Sequence, residues 1–534
     1  MTTLKDLLYQ DIKADSLGPL TDWDKIKRRW AKTVKRVPKN SQILKAYQAL
    51  VKTKRMRPNS RLEQSLRIRK VRTLSGVAPF AVMMRPVYCP GQCVYCPLEP
   101  GMPKSYLSDE PAAARAKKLK FDPKRQLRAR LKQFQITGHQ PEKLQIIVIG
   151  GTFSAYPDAY KRQFLKAIVD AANGKTAKTI AQAQKWNETA RHRIVGMSVE
   201  TRPDWITDEE ITLLREYGVT KVQLGVQTLD ENVNLLTKRG HNVAAVTRAT
   251  QKLRDAGFKI NYHLMPNLPG STPKKDVTQA RRLFADARFR PDTLKVYPCV
   301  VVPHSELYHW WQAGKFKPYD DETLLDVLVK IKQQVPRYCR IDRLVRDISR
   351  QWTAAGTLKT NMRQIVNEAV TMKNEKCQCI RCREIKNQPL RIKQLRLKTT
   401  AYQASGGKER FIEVVDDRDS LYGLSRLRFP GSEAKQRPFF PVLKNSALIR
   451  ELQVFGQQLP LSHISTPGVE SSRHAGAGHS QHRSLGKRLV AEAEKQARKA
   501  GYKKLSIISG VGVRPYYRRL GYRLQNTYMV KRIG

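Results

Sequence analysis

The chain has 534 residues, with 100 Lys and Arg against 46 Asp and Glu and a formal net charge of +54. That length accommodates about three domains at usual domain sizes. The charge excludes an ordinary balanced surface and fits a polyanionic partner, most simply a nucleic acid, with an anionic membrane surface as the alternative. No long apolar run and no leader pattern at Met1-Thr-Thr-Leu-Lys-Asp6 is present, so the chain reads as cytoplasmic with no membrane-spanning segment.

Residues 1–75 form a basic front. From Lys25 to Arg72 there are eighteen Lys and Arg and one acid, Glu63. Ile43, Leu44, Tyr47, Leu50 and Val51 recur at helical spacing, which predicts a small helical module with a dense basic surface. Lys52, Lys54, Arg55 and Arg57, then Arg67, Arg69 and Lys70, are the candidate phosphate contacts. Such contacts give affinity and salt dependence but read no sequence. A solvated, partly disordered tail is the competing reading.

The stretch Cys89-Pro-Gly-Gln-Cys93-Val-Tyr-Cys96 spaces three thiols as C-x3-C-x2-C. A cubane cluster has four irons, so ligands at Cys89, Cys93 and Cys96 leave one iron open to a small molecule. A partial zinc site or three unrelated thiols is the alternative. Strand–helix alternation follows within 76–336. Predicted strands lie at 144–151, 194–200, 219–226, 258–265 and 293–297, with helices at 158–171, 208–217, 243–256 and 273–287 between them. Buried strands alternating with amphipathic helices imply a parallel sheet closed as a full or partial barrel. Ligands of such barrels sit at the C-terminal strand ends. Gly150, Gly151 and Thr152, Glu200 and Arg202, Gln223 and Gln227, His263 and Met265, and Lys295 and Tyr297 collect there.

Residues 337–400 carry a second triad, Cys377, Cys379 and Cys382, spaced C-x-C-x2-C. Two thiol triads in a cytosolic chain point to metals and not to disulfides. Zinc is expected in this linker, with a fourth ligand from Cys339, Cys299 or a histidine. Arg340, Arg343, Arg346 and Arg350 read either as an extension of the basic track or as a salt-bridged helix.

Within 401–534, predicted strands at 410–415, 421–429 and 447–455 precede Gln481-His-Arg-Ser-Leu-Gly-Lys487, a helix at 488–500, a strand at 504–508 and the string Gly512-Val-Arg-Pro-Tyr-Tyr517. A loop entering a helix N-terminus is suited to anionic phosphates.

Several motifs appear in order: Cys89-x3-Cys93-x2-Cys96-Pro, Gly150-Gly-Thr-Phe153, Glu200-Thr-Arg-Pro-Asp204, Leu224-Gly-Val-Gln227, Arg239-Gly-His241, His263-Leu-Met-Pro-Asn-Leu-Pro269 and Leu294-Lys-Val-Tyr-Pro298. Together they resemble the catalytic subunit of Elongator and its prokaryotic single-chain forms, tRNA wobble-uridine carboxymethyl-forming enzymes. The C-terminal order resembles a GNAT-type acetyltransferase. The implied fold is α/β: a partial TIM-type radical SAM barrel, then a GNAT-type α/β acetyltransferase domain, with the small helical module in front. The implied cofactors are a [4Fe-4S] cluster, S-adenosylmethionine (SAM), acetyl-CoA as substrate, and zinc. The implied partner is the anticodon loop of tRNA; a homodimer or accessory subunits are compatible.

By this resemblance Gly150, Gly151, Thr152, Glu200 and Arg202 bind SAM. Lys143, Glu451, Leu452, Gln453, Val454, Leu485, Gly486, Lys487 and Tyr517 meet acetyl-CoA. Glu200 and Tyr517 are the expected catalytic groups. The implied reaction cleaves SAM reductively, takes a hydrogen from the acetyl methyl, joins that carbon to C5 of the wobble uridine and hydrolyses the thioester. The chain departs from the phosphate-loop pattern at Ser484, where the family carries glycine. The main alternative function is a protein lysine acetyltransferase with a structural iron–sulfur cluster; a lysine-rich substrate would be repelled by the +54 charge.

Overall fold

The computed structural model describes residues 2–14, 17, 21–68, 73, 75–346, 348–373, 375–385, 395–456 and 484–534. Arg69, Lys70 and residues 481–483 of the predicted phosphate loop lie outside these.

The first sheet has seven strands: β1 Val77–Met83, β2 Lys143–Ile149, β3 Arg193–Thr201, β4 Lys221–Gln227, β5 Lys259–Leu264, β6 Thr293–Val296 and β7 Arg340–Arg343. They pair in sequence order and all in parallel, from β1 at one edge to β7 at the other. This is the expected partial barrel. The intervening helices begin at side-chain caps: Thr207 accepts from Glu210 N, Asn242 from Ala245 N and Thr272 from Lys275 N. Each cap satisfies an amide that the first helical turn leaves without a partner. Helix Val243–Asp255 then buries Val246, Ala249 and Leu253 against the strands.

Two strands of this first sheet were not foreseen, nor were Arg396–Ala404, Arg523–Gln525 and Tyr528–Arg532 of the second. In β1, Pro79 argues against a strand, but β1 is an edge, where a missing N–H does no harm. In β7 only Ile341 is buried, and its charged neighbours are paired: Lys221 Nζ lies 2.6 Å from Asp342, and Arg340 pairs with Glu384. The 340–350 arginine run is therefore neither a continuous exposed track nor an α-helix: Arg340 is ion-paired on β7, while Arg343 and Arg350 are exposed. Between these two lies Arg346, whose guanidinium is 2.6 Å from Glu110.

The second sheet comprises β8 Arg396–Ala404, β9 Gly407–Val415, β10 Leu421–Phe429, β11 Ala447–Val454, β12 Lys504–Ile507, β13 Arg523–Gln525 and β14 Tyr528–Arg532. Its order is β13-β14-β12-β11-β10-β9-β8, and only β11–β12 is parallel. Helix Leu485–Lys499 packs on β9, β10 and β11. The segment 337–400 thus supplies the last strand of one sheet and the first of the other.

A buried ionic layer joins the two sheets. All nine residues of β10 are buried, Arg426 and Arg428 among them. Arg450 reaches Asp292 at 2.7 Å and Glu409 at 3.0 Å; Arg426 reaches Glu451 at 2.7 Å. Such pairs add little net stability over apolar packing, but removing one partner strands a buried charge. Gly510 and Gly512 lie against β3. A Cβ on Gly510 would come 2.1 Å from Val195 O, and one on Gly512 would come 2.6 Å from Arg193. Here glycine lets two domains touch backbone to backbone.

The basic front folds as helices Leu4–Lys13, Trp23–Val34, Asn40–Lys52 and Ser60–Leu66 around Leu8, Trp30, Ile43, Leu44, Tyr47 and Leu50. It docks on the barrel through Gln48, which donates to Gln135 O, and Ile68 N, which donates to Thr137 O. A cleft of about 400 Å³ remains between them. No helix among the described residues is long and apolar enough to cross a membrane.

Candidate functional site

The cysteine loop leaves the C-terminal end of β1 and folds across the strand-end face. A Cβ on Gly91 would sit 3.6 Å from Cys93 Sγ and 3.7 Å from Cys89 Sγ, so the bare glycine lies between two of the thiols. The same point is 2.5 Å from Arg202 Nη1, a buried nitrogen without a hydrogen-bond partner among the described residues. Arg239 Nη1 donates to Cys93 Sγ at 3.3 Å, and Lys104 Nζ donates to Gly91 O at 2.6 Å. Bonding from Cys96, opposed by burial and aided by Arg239, pulls the Cys93 thiol down to about 4. Three thiols on one loop, one held as thiolate among cations and beside an orphaned guanidinium, suit an electron-rich, anionic group. The donor set fits a cluster with three protein ligands.

Around this loop the strand ends converge. Gly150 and Gly151 follow β2 at φ 142° and 90°, conformations that disfavour side chains. A Cβ on Gly150 would press on Met84 at 3.1 Å. Thr152 is buried, and its hydroxyl lies 3.8 Å from Cys89 Sγ. Arg202 is held by Asp204 at 3.0 and 2.8 Å and by Gly240 O at 3.1 Å, which aims the free Nη1 at the cysteine loop. Thr152 and Arg202 therefore reach the cysteine loop, and Gly150 and Gly151 lead the chain into Thr152.

Glu200 closes β3 inside the barrel. Lys295 Nζ donates to it at 2.9 Å and Tyr106 hydroxyl donates to its other oxygen. Burial raises its pKa, but Lys295, His263 and the Tyr106 bond outweigh that and hold the carboxyl at about 2. Burial, reinforced by Lys295, drops His263 to about 3, so it is neutral near pH 7. His263 meets Gln223 at 3.4 Å, and Gln223 donates to Ser198 at 3.1 Å. Deeper, Asn261 and Lys221 bind Asp342, and Lys259 pairs with Glu451 of the second sheet. A polar column thus runs through the barrel from the cysteine end to the domain interface. Tyr106, Arg239, Lys259 and Asp342 are missing from the sequence-predicted set. Arg239 was visible only within the Arg239-Gly-His241 string.

The second sheet opens where it is expected to hold an acyl donor. β11 pairs with β12 only from Ala447↔Leu505 to Ile449↔Ile507. Beyond Ile449 the backbone of Glu451, Leu452, Gln453 and Val454 keeps β10 on one side and meets no strand on the other among the described residues. The Glu451 side chain itself is committed to Lys259 and Arg426. Ser484 precedes helix Leu485–Lys499 at φ 71°, the region where glycine is most at ease. The amides of Leu485, Gly486 and Lys487 open that helix, and Tyr516 hydroxyl would lie 2.7 Å from a Cβ on Gly486. Tyr517 is buried, stacked edge-on to Tyr516 at 5.3 Å, and burial keeps its phenol protonated. Lys143 starts β2 in register with Arg193, the residue that Gly512 touches. Burial, only partly countered by Glu142, lowers its amine to about 8. It therefore sits at the barrel end that faces the second domain.

The sulfurs of Cys377, Cys379 and Cys382 lie within 4.8 Å of one another. No fourth His, Cys, Asp or Glu joins them among the described residues. Ile380 N donates to Cys339 O at 3.0 Å, yet the Cys339 thiol stays outside the group, and Cys299 packs beside Cys93 instead. On the basic front, Lys52, Lys54, Arg55 and Arg57 are exposed. Arg67 is turned inward, its Nε donating to Gly138 O at 2.9 Å.

Residues 85–280 match the family model of the radical SAM superfamily, and residues 291–372 match the radical SAM C-terminal domain. A tRNA uridine(34) acetyltransferase of Dehalococcoides mccartyi is 42% identical over 86% of this chain and 99% of its own. Elongator complex protein 3 of Homo sapiens is 34% identical over 99% of this chain and 97% of its own. The solved structure of the archaeal Methanocaldococcus infernus Elp3 with an N-terminus deletion (1–46) superposes with a TM-score of 0.74. It is 36% identical and covers 86% of this chain and 100% of that one. With the cysteine loop at the strand ends and a mixed second sheet behind the barrel, the chain belongs to the radical SAM family of tRNA uridine(34) acetyltransferases and Elongator complex protein 3.

Proposed function

We infer that this protein modifies the wobble uridine of tRNA, placing an acetyl-CoA-derived carboxymethyl group at C5. The observation that carries this reading is the union of two sites in one rigidly joined chain. A three-thiol loop lies at one end of the barrel, and a β11 edge unpaired among the described residues, with a helix N-terminus beside it, lies behind the other. A protein lysine acetyltransferase needs only the second site, and gives no role to the first.

Cys89, Cys93 and Cys96 would hold the cluster, whose chemistry when bound is one-electron reductive cleavage of SAM. The chain does the rest. Gly150, Gly151 and Thr152 let the SAM amino acid approach the backbone closely, while Arg202 offers its free Nη1 as a donor. Glu200, ionised near pH 7 and anchored by Lys295, accepts hydrogen bonds from ligand hydroxyls. On the second sheet the backbone of Glu451–Val454 orients the pantetheine, and the amides of Leu485, Gly486 and Lys487 hold phosphates. Tyr517, kept neutral, can donate its proton near the thioester. Cys377, Cys379 and Cys382 hold zinc and brace the segment between the sheets. Lys52, Lys54, Arg55 and Arg57 track the tRNA backbone.

The deciding experiment reconstitutes the cluster anaerobically and adds SAM, a chemical reductant, tRNA and acetyl-CoA. The expected products are 5′-deoxyadenosine and carboxymethyluridine, both lost in Cys93→Ala. Uridine modification that survives Cys93→Ala would overturn the reading.

A further inference from the structure

Beside the cysteine loop the barrel rim carries a group of aromatic rings that the reaction above does not use. Helix Glu306–Gln312 is clamped to that loop: Leu307 N donates to Val94 O at 2.8 Å, and Leu307 packs with Cys93 and Val94. Its outer side presents Tyr308, His309 and Trp311, with the Tyr308 and Trp311 rings 5.8 Å apart. Just before it, His304 is exposed and sits 5.8 Å from the Trp352 ring. Leu98, 61% exposed, donates its N–H to His304 O and continues the same surface. The Trp352 segment is itself fixed over the loop region, since Gln351 donates to Asp109 at 3.0 Å and Arg346 pairs with Glu110. The rings therefore stand on rigid supports at the mouth of the barrel.

Three features narrow the occupant. Paired aromatic faces left partly open to solvent offer stacking to any nucleobase. The indole nitrogen of Trp352 is buried and has no hydrogen-bond partner among the described residues, so a base meets this residue through its ring face. Exposed cations flank the rings: Arg350 precedes Trp352, and Lys315 and Lys317 follow the helix. Glu306, the acid of the helix, is neutralised by Lys238 at 2.6 Å.

We propose that His304, Tyr308, Trp311 and Trp352 form a stacking platform for the unpaired RNA bases that flank the target uridine. This rests on the tRNA reading above and adds where the loop is gripped. Single-stranded loops are read by splaying bases onto aromatic rings, which also pulls the neighbouring base out of its stack. The basic front contributes long-range affinity; the rim fixes which nucleotide enters the barrel.

The test measures binding of a synthetic anticodon stem-loop RNA to the cluster-loaded full chain over a range of salt concentrations. Trp352→Ala, and separately the pair Tyr308→Ala with Trp311→Ala, are each expected to weaken binding about tenfold. The slope against salt should not change, because stacking releases no counterions. Trp352→Phe should recover most of the affinity. Iron and sulfide content equal to the unmodified chain certifies the loop. If Trp352→Ala loses iron, the Tyr308 and Trp311 pair, on the outer side, decides. Unchanged RNA affinity overturns the platform. So does unchanged RNA affinity with slower cluster reduction by a flavodoxin-class protein, which would make the rim a donor-docking face. If the unmodified chain binds the stem-loop with its rim-dependent affinity yet forms no modified uridine, the functional reading fails while the platform stands.

Discussion

The two cysteine triads hold the same number of thiols at different places in the fold, each with a cation on one thiol: Arg239 on Cys93 and Lys332 on Cys382. Around Cys89, Cys93 and Cys96 the charged groups are cations with unused capacity: Arg239 on Cys93, the free Nη1 of Arg202, and Lys104 on the loop backbone. Around Cys377, Cys379 and Cys382 three nearby arginines are paired with acids, while the Cys382 thiol is lowered by bonds from Cys377 and Cys379 and by Lys332, which also bonds it. Arg383 is committed to Glu413 and Asp419, Arg337 to the same two acids, and Arg340 to Glu384. The first triad lies on a loop at the open end of a barrel; the second caps a short turn wedged between two sheets. Thiol spacing announces a metal in both. Placement in the fold, more than thiol spacing, separates the two.

The sharpest way to break this comparison is to remove one thiol from each triad. Cys93→Ala should drop reductive SAM cleavage to background and strip iron. Cys379→Ser should strip zinc and lower the unfolding midpoint, yet leave 5′-deoxyadenosine formation within about threefold, since a structural site acts through folding energy. Metal analysis with product chromatography reads both. Equal loss of 5′-deoxyadenosine in the two variants would erase the distinction.

The braced side depends on its ionic layer. Arg450 sits fully buried between Asp292 and Glu409, so Arg450→Met should cost about 3–5 kcal/mol by leaving carboxylates unpaired. Urea unfolding measures this. Adding Asp292→Asn should return part of the loss, because it removes one of the stranded charges.

The difference between the triads was only half legible in the sequence. Strands β2 to β6 and their helices show in the alternation of apolar runs with capped amphipathic stretches. Strand β1 hides behind Pro79, and β7 behind charges that are buried only because Asp342 and Glu384 meet them across the fold. Gly150 and Gly151 announce themselves by their place after an apolar run. Tyr106 does not, since it reaches Glu200 from a loop ninety-four positions away. Glu451 shows the same limit. Its place on β11 was expected, but its carboxylate faces the barrel because Lys259 and Arg426 converge on it. Gly512, read as part of an acyl-donor string, answers first, with Gly510, to close contact with β3.

On the open side, Glu200→Gln probes the first charged contact beyond the thiols. It keeps the shape but exchanges a carboxylate held by Lys295 and Tyr106 for a neutral amide. A charge-assisted hydrogen bond contributes about 1.5–3 kcal/mol. SAM affinity should therefore weaken roughly 10- to 100-fold, with iron content unchanged. Equilibrium dialysis of SAM checks it; unchanged affinity would move the ligand away from β3.

The smallest effect concerns pH, and it separates the open barrel from the brace without touching a thiol. His263 is buried against Lys295, Lys221 and Arg346, with Glu200 as the one acid facing it, and its folded value is about 3 against an ordinary 6.5. The folded state thus refuses a proton that the unfolded chain accepts below pH 6.5, so stability is retained above 6.5 and declines as pH falls toward 3. Glu200, lowered from 4.5 to about 2, gives its stability above 4.5 and loses it only below that. Between pH 6.5 and 4.5 the two windows do not overlap. In that interval His263→Gln should flatten the acid slope by up to about 1.4 kcal/mol per pH unit. His241, lowered to about 4 by burial and Arg239, keeps part of the slope in place. Urea midpoints of cluster-free protein at pH 7 and pH 5 resolve the difference. A slope that His263→Gln leaves untouched would mean that proton uptake on the acid side runs through the other histidines that burial holds down, His241 and His192.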